Sequence, residues 1–551
     1  MKRSAKDKNI PEWDLSELYN SCSEPLLQRD LKRCKKICSE LVGRCKGKIS
    51  SLSVSEIFKM FQQLEEVEET FAKLSMAVQL NYSAKLNDGY AGSLCQKIEE
   101  CVSVLKKEIA FINFEINSLP NAKINKWLKN SKLKFYVSAI KHIRRFSGHS
   151  ISEEQNAVFI SKAATSGDAW ARLYQESYSK LKYKIDGKIY GNSEIGNLFF
   201  KSRGAKRKKI SDEFVRVDAE NSALFAFIYN MLVKDKAIAD KFERYASPVS
   251  KRNLINEIDD KVVNLLSQTV VANYKTISHR FFKLKAKLQG KKQIPTWELS
   301  LPFPFEKDRC YAWKEAKEII LTAFENFSPK LSKIAERAFK ESWIDASVRD
   351  NKCSGAFSAY INNRLHSYIM LSFCGKMSDV FTLAHELGHS CHYDLFKNQS
   401  YLNENTPDVL KEIASIFCEM LVFNELLKNS DNGREKLVLL MNNIEMAIRH
   451  IMWSIVVHIF ESRVHIERKK SELSGERIAQ IYREEAQKYM GKVVKFRAEQ
   501  THDWFSIMQI FCYPFYCYQY SFANCIANAL YKAYQDKTVP NFEEKFLKML
   551  S

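Results

Sequence analysis

The chain has 551 residues, of which 45% are hydrophobic and 27% are charged, and its formal net charge is +20. This length exceeds what a single hydrophobic core usually covers, so two or more subdomains are expected. Because glycine (17) and proline (11) are scarce, the composition disfavours an architecture of many turns and strands and favours long helices.

The excess of basic residues does not predict nucleic-acid binding. The densest basic runs, such as KSRGAKRKK at 201–209, lack interleaved aromatic residues and match no nucleic-acid module. The fourteen cysteines are scattered without a CxxC pair, and the basic start of the chain has no apolar stretch of a signal peptide. A cytoplasmic protein is therefore expected. The uncharged run 504–531 holds a proline and several tyrosines, which favours a buried wall over a membrane span.

The first third of the chain is predicted to be helical. Residues 56–80 and 95–116 carry apolar side chains at three- and four-residue steps, which is typical of amphipathic helices. A polar stretch with several glycines follows at 186–209 and is the candidate join between domains. We therefore predict an N-terminal helical domain over 1–190 and a catalytic domain over 191–551.

Two later stretches are predicted to be non-helical. Residues 293–305 contain three prolines and predict an extended connection. Residues 353–375 are rich in small, β-branched and aromatic residues and predict a β-hairpin. His366 lies on this hairpin, so its side chain is a candidate contact for a bound substrate.

Directly after the hairpin, residues 381–396 read FTLAHELGHSCHYDLF. On a helix, His385 and His389 point the same way, which suits tetrahedral zinc. Glu386 follows the first histidine, and in HExxH sites this glutamate takes the proton of the attacking water. Gly388 permits close approach of another backbone. The motif also arises by chance, so by itself it remains a hypothesis.

A catalytic zinc site needs a third protein ligand and an open fourth position. The candidate ligand is Glu412 in KEIASIFCE (411–419), on a second predicted helix. A solvated glutamate is the alternative, but its apolar neighbours favour burial with a partner. Glu419, two turns further on, and Asp379, before the histidines, are predicted to support the ligands from behind.

With these motifs in place, the chain resembles the thimet-oligopeptidase-type zinc peptidases (family M3), and within them the oligoendopeptidase F branch. The similarity is collinear and spans nearly the whole chain. It rests on PEWDLSELY (11–19), SGDAWARLYQE (166–176), ESWIDA (341–346), SGAFSAY (354–360), the run 365–390, KEIASIFCE (411–419) and the tyrosine segment 504–531.

The resemblance implies a mainly α, two-lobed metallopeptidase with a deep substrate channel and a small β-hairpin beside the zinc site. It implies one Zn²⁺ per chain, held by His385, His389 and Glu412, with Glu386 as general base. The expected activity is endopeptidase cleavage of short unstructured peptides by a monomer. Through the resemblance, Gly355 and Ala356 are expected to offer the substrate a strand edge.

The tyrosine segment departs from the family pattern. Where the branch usually has a histidine that donates a hydrogen bond in the transition state, this chain has Gln509. Tyr518 stands where the family has a tyrosine that stabilises the oxyanion, and Tyr513 is another possible donor. An amide can donate a hydrogen bond but cannot carry charge. Losing one oxyanion donor costs about 10²–10³ in turnover.

Two further functions stay open. Ligand spacing does not separate an endopeptidase from a related metallocarboxypeptidase, because the difference depends on whether the channel is blocked. A zinc-containing peptide-binding protein with little turnover is the other reading, and Gln509 is its only support.

Overall fold

A computed structural model describes residues 10–20, 24–152, 165–303, 309–349, 351–353, 355–403, 407–496 and 503–551, together with single residues between 155 and 162. The chain folds into two compact units, each assembled from separate stretches of sequence. Unit 1 comprises residues 1–150, 307–431 and 526–551, and unit 2 comprises residues 151–306 and 432–525.

Unit 1 begins with antiparallel helices whose apolar faces meet in one core. Phe61, Phe71 and Trp127 lie in this core, each at most 2% exposed. Ile361 and Tyr368, more than 200 residues later, pack into the same core. The helices of this part are Glu24–Cys45, Val54–Ala84, Gly89–Ile109, Phe111–Ser118, Asn121–Leu128 and Val137–Arg145, with 3₁₀ turns at Ser131–Tyr136 and Ser147–His149.

The rest of unit 1 holds the functional motifs. We name Met377–Phe396 the metal helix and Asp408–Lys428 the carboxylate helix. A three-stranded sheet lies earlier in the chain, with Tyr368–Met370 at its centre, parallel to Ile344–Asp345 and antiparallel to Phe357–Ala359. The other elements here are the helices Trp313–Phe327, Pro329–Lys340 and Phe542–Met549 and the 3₁₀ turn Tyr401–Asn403.

Unit 2 is built around the 39-residue helix Gly204–Phe242. Its buried residues join those of later helices in one aromatic core, in which Phe225 and Phe505 stack at 4.2 Å. The other helices are Gly167–Ser179, Asn192–Lys201, Ser250–Ile255, Asp260–Ala272, Ser278–Leu288, Gly433–Ile448, Ser454–Arg468, Gly475–Met490 and Met508–Cys512, with a π-helical turn at Arg449–Trp453 and 3₁₀ turns at Thr296–Glu298 and Asp503–Ser506.

Two short strand pairs complete unit 2. Tyr183–Ile185 pairs with Lys188–Tyr190 in an antiparallel hairpin, and Ile294–Pro295 pairs with Val494–Lys495 in parallel. The helix Tyr518–Gln535 contains the last boundary between the units, at residues 525 and 526. In the described part of the chain, none of the helices has the length and apolar character that a membrane span requires.

The mainly α fold, the early helices and the hairpin are confirmed, and the domain boundary at residue 190 stays a prediction. The stretch 186–209 holds a strand, the helix Asn192–Lys201 and the start of the long helix, and all of these belong to unit 2. Ile195 of this stretch packs in the unit 2 core and is 1% exposed.

Candidate metal centre

The start of the metal helix is capped by the side chain of Asp379. Asp379 Oδ2 accepts hydrogen bonds from the backbone N–H groups of Cys374 at 2.8 Å and Lys376 at 3.0 Å. These donors would otherwise be left unsatisfied at the helix start. Asp379 was predicted to support a metal ligand, but its hydrogen bonds give it a capping role instead. It thereby fixes the start of the helix that carries the histidines.

His385 and His389 lie one turn apart on the metal helix, and their ring nitrogens converge. The two Nε2 atoms are 3.2 Å apart, and the side chains are 24% and 11% exposed. Two imidazole nitrogens this close need a shared proton or a cation between them. In the described part of the chain, the Nδ1 atom of His389 is buried without a hydrogen-bond partner.

Glu412 on the carboxylate helix completes the cluster. Its Oε2 atom lies 3.3 Å from His385 Nε2 and 3.7 Å from His389 Nε2. Ser415, one turn further along, donates a hydrogen bond to the same oxygen at 3.2 Å. Ligands about 2.0–2.1 Å from a tetrahedral zinc ion lie about 3.3–3.4 Å from one another. The three donor atoms therefore fit a tetrahedral ion with one open position.

The two helices can meet this closely because of Gly388. A Cβ atom at this position would lie 2.6 Å from the Cα atom of Ser415 and 3.0 Å from the carbonyl oxygen of Ala414. The close backbone approach predicted from the glycine is thus observed. It places Glu412 opposite the histidines.

The titration behaviour of the cluster follows from burial and mutual contact. Burial lowers the pKa of His389 to about 3, and the charge of His385 adds to this effect. Burial alone would raise the pKa of Glu412, but the hydrogen bond with His385 and the charges of both histidines lower it to about 2. A neutral His389 and an ionised Glu412 are the forms that bind metal.

Glu419 supports His385 from the side opposite the cluster. Its Oε1 atom lies 2.5 Å from His385 Nδ1. Burial by itself would lower the pKa of His385, but the hydrogen bonds with Glu412 and Glu419 raise it well above its usual value. A carboxylate behind a ligating histidine fixes the ring orientation and leaves Nε2 for the metal. The structure brings this residue to the predicted place.

Glu386 is adjacent to the cluster but supplies none of its three donor atoms. Its side chain is buried, and the residue is 6% exposed. Burial raises the pKa of Glu386 to about 7, and the nearby carboxylates of Glu412 and Glu419 act in the same direction. A carboxylate that titrates near neutral pH is suited to general acid–base work.

The predicted hairpin precedes the metal helix in the chain, and its first strand lies at the edge of the three-stranded sheet. Phe357–Ala359 is the edge strand, so one side of its backbone has no strand partner among the described residues. Gly355, with φ +91°, and Ala356 lead into this strand. An extended peptide can add one more strand to an unpaired sheet edge, which is called β-augmentation.

His366 lies on the hairpin, as predicted. Its ring stacks on Trp343 at 4.3 Å, Nε2 lies 2.8 Å from Glu17 Oε2, and Nδ1 lies 2.9 Å from the carbonyl oxygen of Ser367. These contacts hold the ring in place, and its contact with a substrate stays a prediction. Sequence cannot distinguish these roles, because the stacking partner lies 23 residues away.

The three candidates from the tyrosine segment belong to unit 2. The Tyr518 side chain is fully buried, and its hydroxyl oxygen accepts a hydrogen bond from Asn256 Nδ2 at 2.7 Å. Tyr513 is 52% exposed, and Gln509 is partly exposed in the short helix Met508–Cys512. Asn256 had no signal in the sequence. The roles of Gln509, Tyr513 and Tyr518 stay predictions.

Sequence reasoning also missed a buried ion pair beneath the sheet. Lys352 Nζ lies 2.7 Å from Asp345 Oδ1, and both side chains are 1% exposed. The same ammonium donates to the carbonyl oxygens of Ser347 and Leu371. This pair fixes the loop that precedes the edge strand. The lysine follows a polar stretch, so nothing marked it as buried.

A mainly helical fold with an HExxH helix and a glutamate from a second helix defines a metallopeptidase of the two-histidine, one-carboxylate type. Comparison with known proteins agrees with this class. The family model described as Peptidase family M3 matches residues 201–550, and the one described as Oligopeptidase F matches residues 115–183. The chain belongs to peptidase family M3.

Curated relatives are similar over nearly the whole chain. Oligopeptidase PepF of Bacillus subtilis (strain 168) is 22% identical over 529 residues, which cover 94% of this chain and 78% of that protein. The plasmid form of oligoendopeptidase F from Lactococcus lactis subsp. cremoris is 26% identical over 568 residues, which cover 94% and 87%. The chain is thus similar to oligoendopeptidase F enzymes along most of their length.

Solved structures share the fold. The oligoendopeptidase-F of Enterococcus faecium superposes with a TM-score of 0.70 at 19% identity, over 96% of this chain and 92% of that one. A peptidase structure from Chlamydophila abortus gives a TM-score of 0.80 at 20% identity, over 98% and 91%. At these identities the likeness concerns the fold alone.

Proposed function

We propose that this metalloendopeptidase is zinc-dependent and hydrolyses short, unstructured oligopeptides with Glu386 as the general base. The observation that carries the proposal is the convergence of His385 Nε2, His389 Nε2 and Glu412 Oε2 within 3.2–3.7 Å. Three donors of this kind with an open fourth position are the ligand set of catalytic zinc.

When bound, Zn²⁺ lowers the pKa of a water molecule to about 7 and polarises a carbonyl oxygen. The chain's own residues supply the rest. Glu386 accepts the proton of the attacking water and delivers it to the leaving amine, for which a pKa near neutrality is suited. Glu419 fixes the orientation of the His385 ring so that Nε2 faces the metal position.

The substrate backbone is proposed to align along the edge strand Phe357–Ala359, next to Gly355 and Ala356. This alignment requires an extended peptide, so a folded protein would be excluded. Tyr518, Tyr513 and Gln509 are proposed to donate hydrogen bonds to the developing oxyanion. Action as a monomer in the cytoplasm is part of the same proposal.

The test is cleavage of an internally quenched decapeptide blocked at both ends. We expect internal cleavage that a chelator abolishes and added zinc restores. Glu386→Gln should retain one zinc per chain and lose at least about 10²-fold in kcat, because the proton acceptor is gone. Glu318→Gln is the matched control, since this glutamate is 65% exposed on another helix of unit 1. Full activity in Glu386→Gln would disprove the assigned base.

The products distinguish the open alternatives. A carboxypeptidase would leave the blocked peptide intact and trim a peptide with a free carboxyl terminus. A peptide-binding protein with little turnover would hold zinc and peptide without cleaving either substrate. Gln509 is the observation that favours this second candidate. If it applies, Gln509→His should raise kcat while zinc content stays the same.

A further inference from the structure

A cavity of about 310 Å³ lies in unit 2. Its walls come from the helices Gly167–Ser179, Gly204–Phe242, Ser250–Ile255 and Ser454–Arg468 and from the segment 510–514. All the residues that line it belong to unit 2, whereas the donors of the metal centre belong to unit 1. This volume is at the lower end of the range for small-molecule sites.

The lining carries the cations Lys236, Lys251 and Arg252, and among the residues that the structure describes only Arg252 has no carboxylate at ion-pair distance. Lys236 pairs with Asp240 at 2.8 Å, and Lys251 pairs with Glu243 at 2.6 Å. Arg252 donates through Nε to the carbonyl oxygen of Pro514 at 3.2 Å. Within the described ranges, its guanidinium group has no carboxylate at ion-pair distance. Arg252 therefore keeps donors available for an anionic group.

The lining also includes the carboxylates of Asp168 and Asp235. Asp235 accepts a hydrogen bond from the backbone N–H of Gly167, and Asp168 is exposed. Neither carboxylate forms an ion pair with a lysine or arginine in the part of the chain that the structure describes. Burial raises the pKa of Asp235; the Gly167 N–H and the charge of Lys162 lower it, and the charge of Asp168 raises it. A cation placed between these two carboxylates would relieve their repulsion.

Much of the remaining lining is apolar. Leu232, Val233, Ile255 and Ile510 contribute to it. Tyr229 also lines the cavity, but its hydroxyl is fully buried and has no hydrogen-bond partner among the described residues.

We propose that this cavity binds a small zwitterion, a free amino acid or dipeptide with an apolar side chain. The carboxylate would lie at Arg252, the ammonium group between Asp168 and Asp235, and the side chain against the apolar wall. A simple anion would add no cation between Asp168 and Asp235, and a simple cation would leave Arg252 unused. Peptide hydrolysis releases molecules of this class, but binding to unit 2 does not depend on the proposed activity.

The experiment is isothermal titration of the full-length, zinc-loaded protein with L-leucine, N-acetyl-leucine and leucinamide. We expect saturable binding of one leucine per chain. Each analogue lacks one charge and should bind at least tenfold more weakly than leucine, because it cannot form one of the two charge-assisted contacts. Arg252→Gln and Asp235→Asn should weaken leucine binding to the same degree. The matched control is Lys234→Gln, on the same long helix but outside the cavity lining, and it should bind leucine normally.

Two further experiments distinguish leucine binding in this cavity from binding at the metal centre and from binding of a simple anion. Leucine binding should persist in His385→Ala, which removes a metal donor, and inorganic phosphate should not displace it. Arg252→Lys keeps the charge and should recover part of the binding that Arg252→Gln loses, even if Arg252→Gln also lowers the melting temperature. Binding of either analogue as tight as that of leucine, displacement by phosphate, loss in His385→Ala, or no saturable binding would each overturn the proposal.

Discussion

Replacing Gly388 by alanine tests whether the contact between the metal helix and the carboxylate helix sets the ligand geometry. The added methyl group would lie 2.6 Å from Ser415 Cα, 3.0 Å from the Ala414 carbonyl oxygen and 3.1 Å from Cys418 Cβ. Two of these atoms are backbone, so no side-chain rotation can relieve the clash. The helices must separate, and Glu412 moves with the carboxylate helix.

The size of the effect follows from these distances. An ordinary carbon–carbon contact needs about 3.5 Å, so the helices must separate by about 0.9 Å at this point. Metal sites tolerate deviations of only about 0.2 Å in ligand distance. We therefore expect Gly388→Ala to lower zinc affinity by about 10–100-fold, similar to the loss of a supporting residue. Overpacking should also lower the free energy of unfolding by about 1–3 kcal/mol.

Zinc affinity is measured by competition with a chromogenic chelator, and stability by urea unfolding of the metal-free protein. Gly43→Ala is the matched control, because it lies inside a helix of unit 1 with nothing within 4 Å of the added methyl group. The control should be neutral or stabilised by up to about 1 kcal/mol. If Gly388→Ala binds zinc like the unaltered chain, the helix contact does not set the position of Glu412.

Three further predictions test single contacts. Glu419→Gln should lower zinc affinity by about 10–100-fold while leaving the fold intact, and chelator competition would show it. Lys352→Met should lower the free energy of unfolding by about 1–3 kcal/mol, because Asp345 stays buried and keeps only Arg349 as its ionic partner. An unchanged urea midpoint would contradict this. Burial raises the pKa of Glu461 to about 8, from about 4.5 when unfolded. The folded state then holds a proton that the unfolded state lacks, so stability should fall by about 3 kcal/mol from pH 5 to pH 7. Glu461→Gln should flatten that slope, and an equal slope in both proteins would refute the assignment.

Local patterns were sufficient to predict that His385, His389 and Glu412 form one cluster. His385 and His389 are four residues apart, so any helix through them points both rings the same way. Glu412 and Glu419 are seven apart on one helix face, which places one carboxylate beside His385 Nε2 and the other beside His385 Nδ1. Gly388 predicted the close approach of the second helix, which the structure shows. Each of these predictions depends only on helical periodicity, which the sequence carries.

Asp379 and His366 show where such reasoning stops. Both are polar residues beside the motif, and both were assigned to the site. Their roles depend on which groups were left unsatisfied nearby, namely the first N–H groups of a helix for Asp379 and an aromatic face for His366. Those groups become available only once the backbone is folded, so spacing in the sequence cannot reveal them.

The sequence by itself determined the helical class, the family and the cluster of His385, His389 and Glu412, because these follow from periodicity and from motifs within single helices. Only the tertiary structure decided which stretches form each unit. Ile361 and Tyr368 pack with the N-terminal helices, and the stretch 186–209 packs in unit 2. Burying apolar surface stabilises the folded state whichever complementary surface covers it, so two stretches can pack together at any distance along the chain. The same long-range packing brings Asp235 and Arg252 to one cavity, which no local pattern encodes.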